Sequence, residues 1–344
     1  MAKVTIIVPI YQVEKYLRTC FDSLLTQTSR DFKVLAVNDG SKDGCQAILD
    51  DYVAKYPDLF TGITKANGGY GSVLQMAIAH TDTPYFLICD PDDYLDKEAV
   101  KTLLDLAAVS EADLTVGAKM VFHEDNALRE YDASYNTGFV KLKTNTVYHR
   151  GTAEFDDLFF INPSPHAKLY KKELAAGIRF PEHVGYTDNL LFYISLLNAD
   201  KVVYTDKPLA YYLVNRTGNT MTDISTKAML GQISVFREIA MQSQACASIS
   251  PMFYYRMFES FKFMLYQTRR MDGSKEDLAA VLDALQLFLN DLTPYHKEIL
   301  PLYRKYTKAQ ILERLRDEAL ISPARSRSAY DGLKRKMLSD YMPR

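Results

Sequence analysis

Apolar and polar positions come in short blocks over the first hundred residues, and each block predicts one element. Val4–Ile10 (VTIIVPI) is a continuous β-branched run, the pattern of a parallel strand buried on both faces. Residues 13–25 then place Tyr16, Leu17, Cys20, Leu24 and Leu25 on one helical stripe. A second apolar run at 32–37 stops at Asn38-Asp39-Gly40-Ser41, a turn whose Ser41 is a candidate N-cap for a helix over 42–55. The same rhythm predicts a strand at 59–64, a helix at 71–80 and a strand at 85–89 (YFLIC), which runs into Asp90-Pro91-Asp92-Asp93. Strands separated by single helices indicate right-handed βαβ units and a doubly wound parallel sheet. Strand character recurs at 114–122, 140–148, 202–204 and 209–214, mixed with short helices. From about 226 onward helical periodicity takes over. The predicted division is therefore 1–225, with halves 1–105 and 106–225, followed by a helical region 226–344.

Composition narrows the class by exclusion. A chain of 344 residues is long enough to bury a large core, and 47% hydrophobic with 24% charged residues is ordinary for a globular protein. Forty-one basic and forty-three acidic side chains leave a net charge of −2, so no global field draws the chain to nucleic acid. The four cysteines form no C-x-x-C pair, which fits a reducing, cytoplasmic setting. No stretch reads as a signal peptide or a membrane span; the longest uncharged one, 239–255, contains Gln, Ser and Pro. Residues 314–344 carry eight basic and four acidic side chains. Lys334, Arg335 and Lys336, with Arg325 and Arg327, stand near Leu333, Met337 and Tyr341. The default for this segment is a solvated helical face; the sharper reading is peripheral contact with the inner face of an anionic membrane.

Ligands of doubly wound sheets sit at the carboxyl ends of the strands. Those ends carry Pro9-Ile10-Tyr11, Asn38-Asp39-Gly40, Lys65-Ala66-Asn67 and Asp90-Pro91-Asp92-Asp93. Three carboxylates in four residues repel one another, and a hard divalent cation shared with substrate phosphates is the usual reason to keep them together. The bland alternative is an acidic turn before a helix near Lys97. Asp39 can accept from the imide N–H of uracil or thymine, or simply form an Asx turn. KANGGYGS at 65–72 can bring backbone N–H groups to a phosphate or sugar. It is neither a dinucleotide fingerprint nor a Walker loop, so a nicotinamide dehydrogenase and a P-loop enzyme are poorly supported. His166 and His183 are isolated, which points to structural roles, and Tyr254 and Tyr255 read as packing.

Together these segments resemble the family-2 glycosyltransferases of the glycosyltransferase-A fold, a Rossmann-like α/β domain with a mainly parallel central sheet. The resemblance is carried by VTIIVPIYQVEKYL (4–17), VLAVNDGSKDG (34–44), NGGYGS (67–72) and FLICDPDDYL (86–95). It continues through AKLYKKEL (167–174), IRFPE (178–182), GYTDNLLF (185–192) and AYYLVNRTGNT (210–220). It implies an enzyme of the hexosyl- or N-acetylhexosaminyltransferase type, acting in polysaccharide biosynthesis. The implied donor is a nucleotide-sugar, a UDP-sugar first, and the acceptor a glycan, lipid-linked sugar or glycoprotein. Position by position, Pro9, Tyr11 and Glu14 match the loop beside base and ribose, and Asp39 the carboxylate that reads the base. Asn67, Gly68 and Gly69 match the glycine loop, and Asp90, Pro91 and Asp92 the D-x-D segment. Asp90 and Asp92 would hold Mn2+ or Mg2+, with Asp92 the more direct ligand. Arg216 matches a basic residue that contacts the diphosphate. Asp188 matches the catalytic base of an inverting displacement.

The departures are specific. Thr187 stands where the family often has Glu, Gln12 and Gln75 replace frequent Asn residues, and Pro165-His166 occupy the place of a common Trp. No Q-x-x-R-W stretch is present, against a processive synthase. Thr187 is the best argument for the alternative of a non-catalytic nucleotide-sugar-binding subunit that supports a partner transferase. A nucleotidyltransferase would want a Gly- and Lys/Arg-rich triphosphate loop near the first strand, and none is there. Homo-oligomer formation is left open. Asp188 has its own bland alternative: with Thr187, a helix N-cap.

Overall fold

The computed structural model describes residues 2–124, 129–214, 223–271 and 273–306, with the isolated positions 332 and 335. Arg216 lies outside the described residues, as do Arg325, Arg327, Lys334 and Lys336. The chain divides into two compact units, Met1–Asn219 and Thr220–Arg344. No helix among the described residues is long and apolar enough to cross a membrane.

The first unit is built on one mixed sheet. Its opening elements are β1 (Val4–Ile10), α1 (Glu14–Leu25), β2 (Phe32–Asn38), α2 (Cys45–Lys55), β3 (Phe60–Thr64), α3 (Tyr70–His80) and β4 (Tyr85–Ile88). They alternate as the apolar blocks predict. Every residue of β1 is buried, and α1 turns Leu17, Cys20, Phe21 and Leu24 inward. Strands β3, β2, β1 and β4 lie side by side and parallel, so Asn38, Ile10 and Ile88 end at one rim. The strand order reverses beside β1, the place where such sheets open a crevice for ligands. Pro9 falls after the last β1–β4 pair, Ile7–Ile88, where the ladder no longer needs its N–H.

Beyond β4 the mainly parallel sheet takes in antiparallel strands. After β5 (Tyr94–Leu95) and α4 (Ala99–Ser110) come β6 (Leu114–His123), β7 (Arg129–Asp132), β8 (Thr146–His149), α5 (Ala153–Asp156), β9 (Lys168–Lys171), α6 (Thr187–Asn198) and β10 (Lys201–Val214). β9 inserts antiparallel between β4 and β6, and β10 continues parallel to β6. The two strands expected at 202–204 and 209–214 are one strand, bulged around Pro208, where the ladder lacks a donor. The strand expected over 140–148 shrinks to β8: Val140 and Leu142 are buried from a loop rather than from a ladder.

Ser41 does not cap α2, contrary to expectation. Its hydroxyl accepts the N–H of Gln12 at 3.1 Å, while the Glu14 carboxylate accepts the N–H of Gly44, the N-cap, at 2.7 Å. A carboxylate 30 residues away does the capping because α1 and α2 begin side by side; a side chain at position 44 would collide with it.

In the second unit α7 (Thr226–Gln242), α8 (Pro251–Gln267) and α9 (Lys275–Leu292) each begin after a serine whose hydroxyl accepts a backbone N–H of the first turn. Phe236, Phe261 and Phe288 form its aromatic core, and Tyr254 and Tyr255 are buried, as the packing reading expects.

Candidate active site

Carboxylates stand at the carboxyl rim of the parallel strands: Asp39 after β2, and Asp90, Asp92 and Asp93 after β4. Asp39 follows β2 and is buried to 2% exposure. Its Oδ1 accepts from Lys65 Nζ at 2.6 Å and the Gly68 N–H at 3.0 Å; its Oδ2 accepts from the Gly69 N–H at 2.8 Å and Asn67 Nδ2 at 3.1 Å. The backbone donors of Gly68 and Gly69 are therefore committed to Asp39, not offered to a phosphate. Lys65 also reaches the Ser72 hydroxyl at 2.7 Å. This ion pair went unanticipated. Its only trace in the sequence is a lysine two residues before Asn67.

Asp90 follows β4. Its Oδ1 accepts the Tyr70 hydroxyl at 2.9 Å. Burial first, then the neighbouring Asp93 and Asp92 and more weakly Asp188, pushes its carboxyl well above the ordinary carboxylate range. Pro91 is buried and Asp92 half-buried beside it.

The third acid of the cluster behaves differently. Asp93 is buried, accepting the Leu213 N–H at 2.7 Å through Oδ1 and pairing through Oδ2 with His166 Nε2 at 2.6 Å. Burial drives the His166 pKa well below its usual range, so the neutral ring donates to Asp93. The other face of the ring packs on Tyr212 at 4.4 Å. His166 is thus a braced core histidine, as an isolated one should be, with a partner 73 residues earlier that no local pattern announces.

A divalent cation suits this chemistry. Donor atoms of Asp90, Asp93 and His166 lie within 4.8 Å of one another. Because Asp93 and His166 hold each other in the interior, they brace the cluster. Asp90 and Asp92, both partly exposed, carry the hard oxygen donors that Mg2+ or Mn2+ prefers. Burial raises the Asp90 pKa first, and the repulsion from Asp93 and Asp92 that adds to it is what a cation relieves.

Asp188 stands apart, in the first turn of α6. The N-cap is Tyr186, in the left-handed region at φ 65°, and its side chain makes no capping hydrogen bond. Neither Thr187 nor Asp188 is therefore the N-cap, although the Asp188 carboxylate accepts the Asn189 N–H of the first turn. Burial raises the Asp188 carboxyl to about 6, against the lowering effect of Asn189, which donates to Oδ1 at 3.2 Å, and of the Lys168 charge. Lys168 is itself fully buried, bonded to the Ser164 carbonyl and 5.4 Å over the Phe192 ring. A carboxyl with a pKa near neutrality is poised to take a proton.

At the rim, Tyr11 is 46% exposed just past β1, while Glu14 is occupied in capping α2. Asp39, Asn67, Gly68, Gly69, Asp90, Pro91, Asp92 and Asp188 lie on the strand-end loops or the α6 start, and Pro9 lies one residue before the end of β1. His183 brings its backbone, not its ring, to the site: its N–H donates to the Gly68 carbonyl at 2.7 Å.

The wider comparison places this Rossmann-like sheet and its acidic rim in a family. The chain belongs to glycosyl transferase family 2, whose model matches residues 5–179. It is 26% identical over 306 residues to glycosyltransferase GlyA of Streptococcus pneumoniae serotype 4 (strain ATCC BAA-334 / TIGR4), a match covering 82% of this chain but 44% of GlyA. The chain thus spans less than half the length of that relative. Among solved structures it is similar to S. aureus TarS 1-349 in complex with UDP-GlcNAc, at a TM-score of 0.69 and 22% identity, covering 90% of this chain and 88% of that one. It is also similar to the mannosyltransferase PcManGT from Pyrobaculum calidifontis in complex with GDP-Man and Mn2+, at a TM-score of 0.52 and 16% identity, covering 92% and 87%. These likenesses establish the glycosyltransferase-A fold.

Proposed function

We propose that the chain is an inverting, metal-assisted glycosyltransferase that moves a sugar from a UDP-sugar to a hydroxyl of a glycan, lipid-linked or glycoprotein acceptor. The observation that carries this reading is the separation of duties among carboxyls. Asp90 and Asp92 cluster with buried Asp93, whereas Asp188 sits on another element with its carboxyl held near 6. Inverting displacement needs this arrangement: one acidic group on the diphosphate side and another to deprotonate the attacking hydroxyl.

Pro9, Tyr11 and Asp39 border the base and ribose in this reading, with Glu14 behind them. Asn67, Gly68 and Gly69 contribute by fixing the Asp39 carboxylate. Asp90 and Asp92 would hold a divalent cation, Mn2+ or Mg2+, and such a cation would supply positive charge on the diphosphate side. Arg216 is proposed as a further diphosphate contact. Asp188 accepts the acceptor's proton as the hydroxyl attacks the opposite face of the anomeric carbon. The UDP-GlcNAc held by TarS and the Mn2+ held by PcManGT support the choice of donor class and ion.

The test is a panel of UDP-, GDP- and dTDP-sugars with Mn2+, read by release of nucleoside diphosphate. Turnover with UDP-sugars is expected. Tight UDP binding with no hydrolysis or transfer for any donor would favour a binding subunit and overturn the enzyme.

A further inference from the structure

The glycine loop at 65–72 reads in the sequence as a phosphate cradle, yet its contacts run elsewhere. Towards β2, it gives four donors to the Asp39 carboxylate. Towards β4, Tyr70 donates to Asp90. Its third set of contacts is with the segment that leads into Asp188. The Gly68 carbonyl accepts the His183 N–H at 2.7 Å, and one turn into α3 the Gln75 side-chain oxygen accepts the Phe180 N–H at 3.0 Å.

Two glycines make that docking possible. Gly69 has φ 83°, and a Cβ there would stand 3.0 Å from the His183 nitrogen and 3.1 Å from its Cα. Gly71 has ordinary helical geometry, so conformational freedom does not explain it. A Cβ at position 71 would run into the Pro181 carbonyl oxygen, with the Thr187 methyl at 3.1 Å and Phe180 Cβ at 3.3 Å. The obstructing oxygen is backbone and cannot turn aside as a flexible side chain would. Thr187 is the residue immediately before Asp188.

We propose that this loop is a positioning element for Asp188, and that Gly71 is the residue on which the seating of Asp188 depends. One short segment thereby sets the distance between the base and the donor-side carboxylates Asp39 and Asp90. This assignment rests on the glycosyltransferase reading above. It differs from a cradle role in what it predicts: damage to the seat should slow the chemical step and leave the nucleotide where it was. Misplacement of a reacting group by about 1 Å can cost about 10²-fold in rate.

The experiment compares Gly71→Ala and Gln75→Leu with wild type in full-length protein, with UDP affinity in Mn2+ measured by calorimetry and kcat by UDP release. Gly71→Ala is expected to lower kcat at least tenfold while UDP affinity stays within about twofold. Gln75→Leu, which only removes the acceptor for Phe180, is expected to lower kcat about three- to tenfold with UDP affinity likewise kept. It also serves as the readable variant if Gly71→Ala fails to fold. Wild-type kcat in Gln75→Leu and in a folded Gly71→Ala overturns the proposal, as does loss of UDP affinity in parallel with kcat, which would return the loop to the donor. A wild-type protein that binds no UDP and transfers nothing would instead overturn the glycosyltransferase reading itself.

Discussion

The Tyr70 hydroxyl donates to Asp90 Oδ1 at 2.9 Å, and this bond links the first residue of α3 to the end of β4. Burial and the Asp90 charge push the Tyr70 phenol well above its usual range, so it remains a donor throughout the working pH range. Hydrogen bonds to charged groups contribute about 1.5–3 kcal/mol. Tyr70→Phe keeps the ring and removes only the donor. UDP affinity in Mn2+, measured by calorimetric titration, should therefore weaken about 10- to 100-fold with the fold intact. Unchanged affinity would detach Asp90 from the donor site.

Chelation gives an independent reading of the same rim. Excess EDTA should abolish transfer, and Mn2+ or Mg2+ should restore it. Asp92→Ala should behave like chelated wild type even at millimolar Mn2+, and a melting temperature measured alongside separates loss of the cation from loss of the fold. Full transfer in chelator removes the cation from the mechanism.

Much of this rim was legible because its signals are local. Apolar blocks ending in Asn-Asp-Gly and Asp-Pro-Asp-Asp announce buried strands with polar tips, and strand ends are where ligands bind. Legibility ends where partners are distant. Glu14 reaches Gly44, His166 reaches Asp93, and the Phe180 N–H reaches Gln75 across 30, 73 and 105 positions. Each depends on packing, and β9 in particular enters antiparallel beside β4 with no periodicity to foretell it. The same limit explains why 65–72 reads as a cradle in the sequence. Glycine permits close approach, but the sequence does not say of what.

The Asp39–Lys65 pair, with Asp39 buried and Lys65 largely so, gives a prediction about stability. Removing one member of a buried pair leaves the other charge uncompensated, at about 3–5 kcal/mol, whereas replacing both with apolar groups of similar size is near neutral. Lys65→Met should then lower the urea midpoint strongly, and Asp39→Leu/Lys65→Met should recover part of the loss. The double variant also isolates base recognition: once it is folded, at least a tenfold loss of UDP affinity is expected. Wild-type affinity in that variant takes Asp39 out of the nucleotide site.

Asp188 yields the sharpest test because its protonation state is set by its surroundings. Its carboxyl is raised to about 6 chiefly by burial, with Asn189 and the buried Lys168 acting in the opposite direction. Asp90 is the other acidic group that interacts with it, and Tyr70 and Tyr170, both kept neutral by burial, lie near it. A base must be ionised to accept a proton, so kcat/KM should rise with pH along an acid limb near 6 and level off above it. Stability should move the other way. The folded protein holds this proton more tightly than the unfolded chain, whose aspartate titrates near about 3.9, so this group's contribution is lost as pH climbs from about 4 to 6. Asp188→Asn keeps the shape but cannot accept the acceptor's proton. Transfer should fall by about 10²–10⁴-fold with UDP affinity nearly unchanged, since Asp39, Asp90 and Asp92 are untouched. Thr187 sharpens the outcome, because no carboxylate stands beside position 188 to take over. The Asp188→Asn variant should show no limb at all. Wild-type rates in Asp188→Asn, or an acid limb that survives the substitution, would assign the proton to another group.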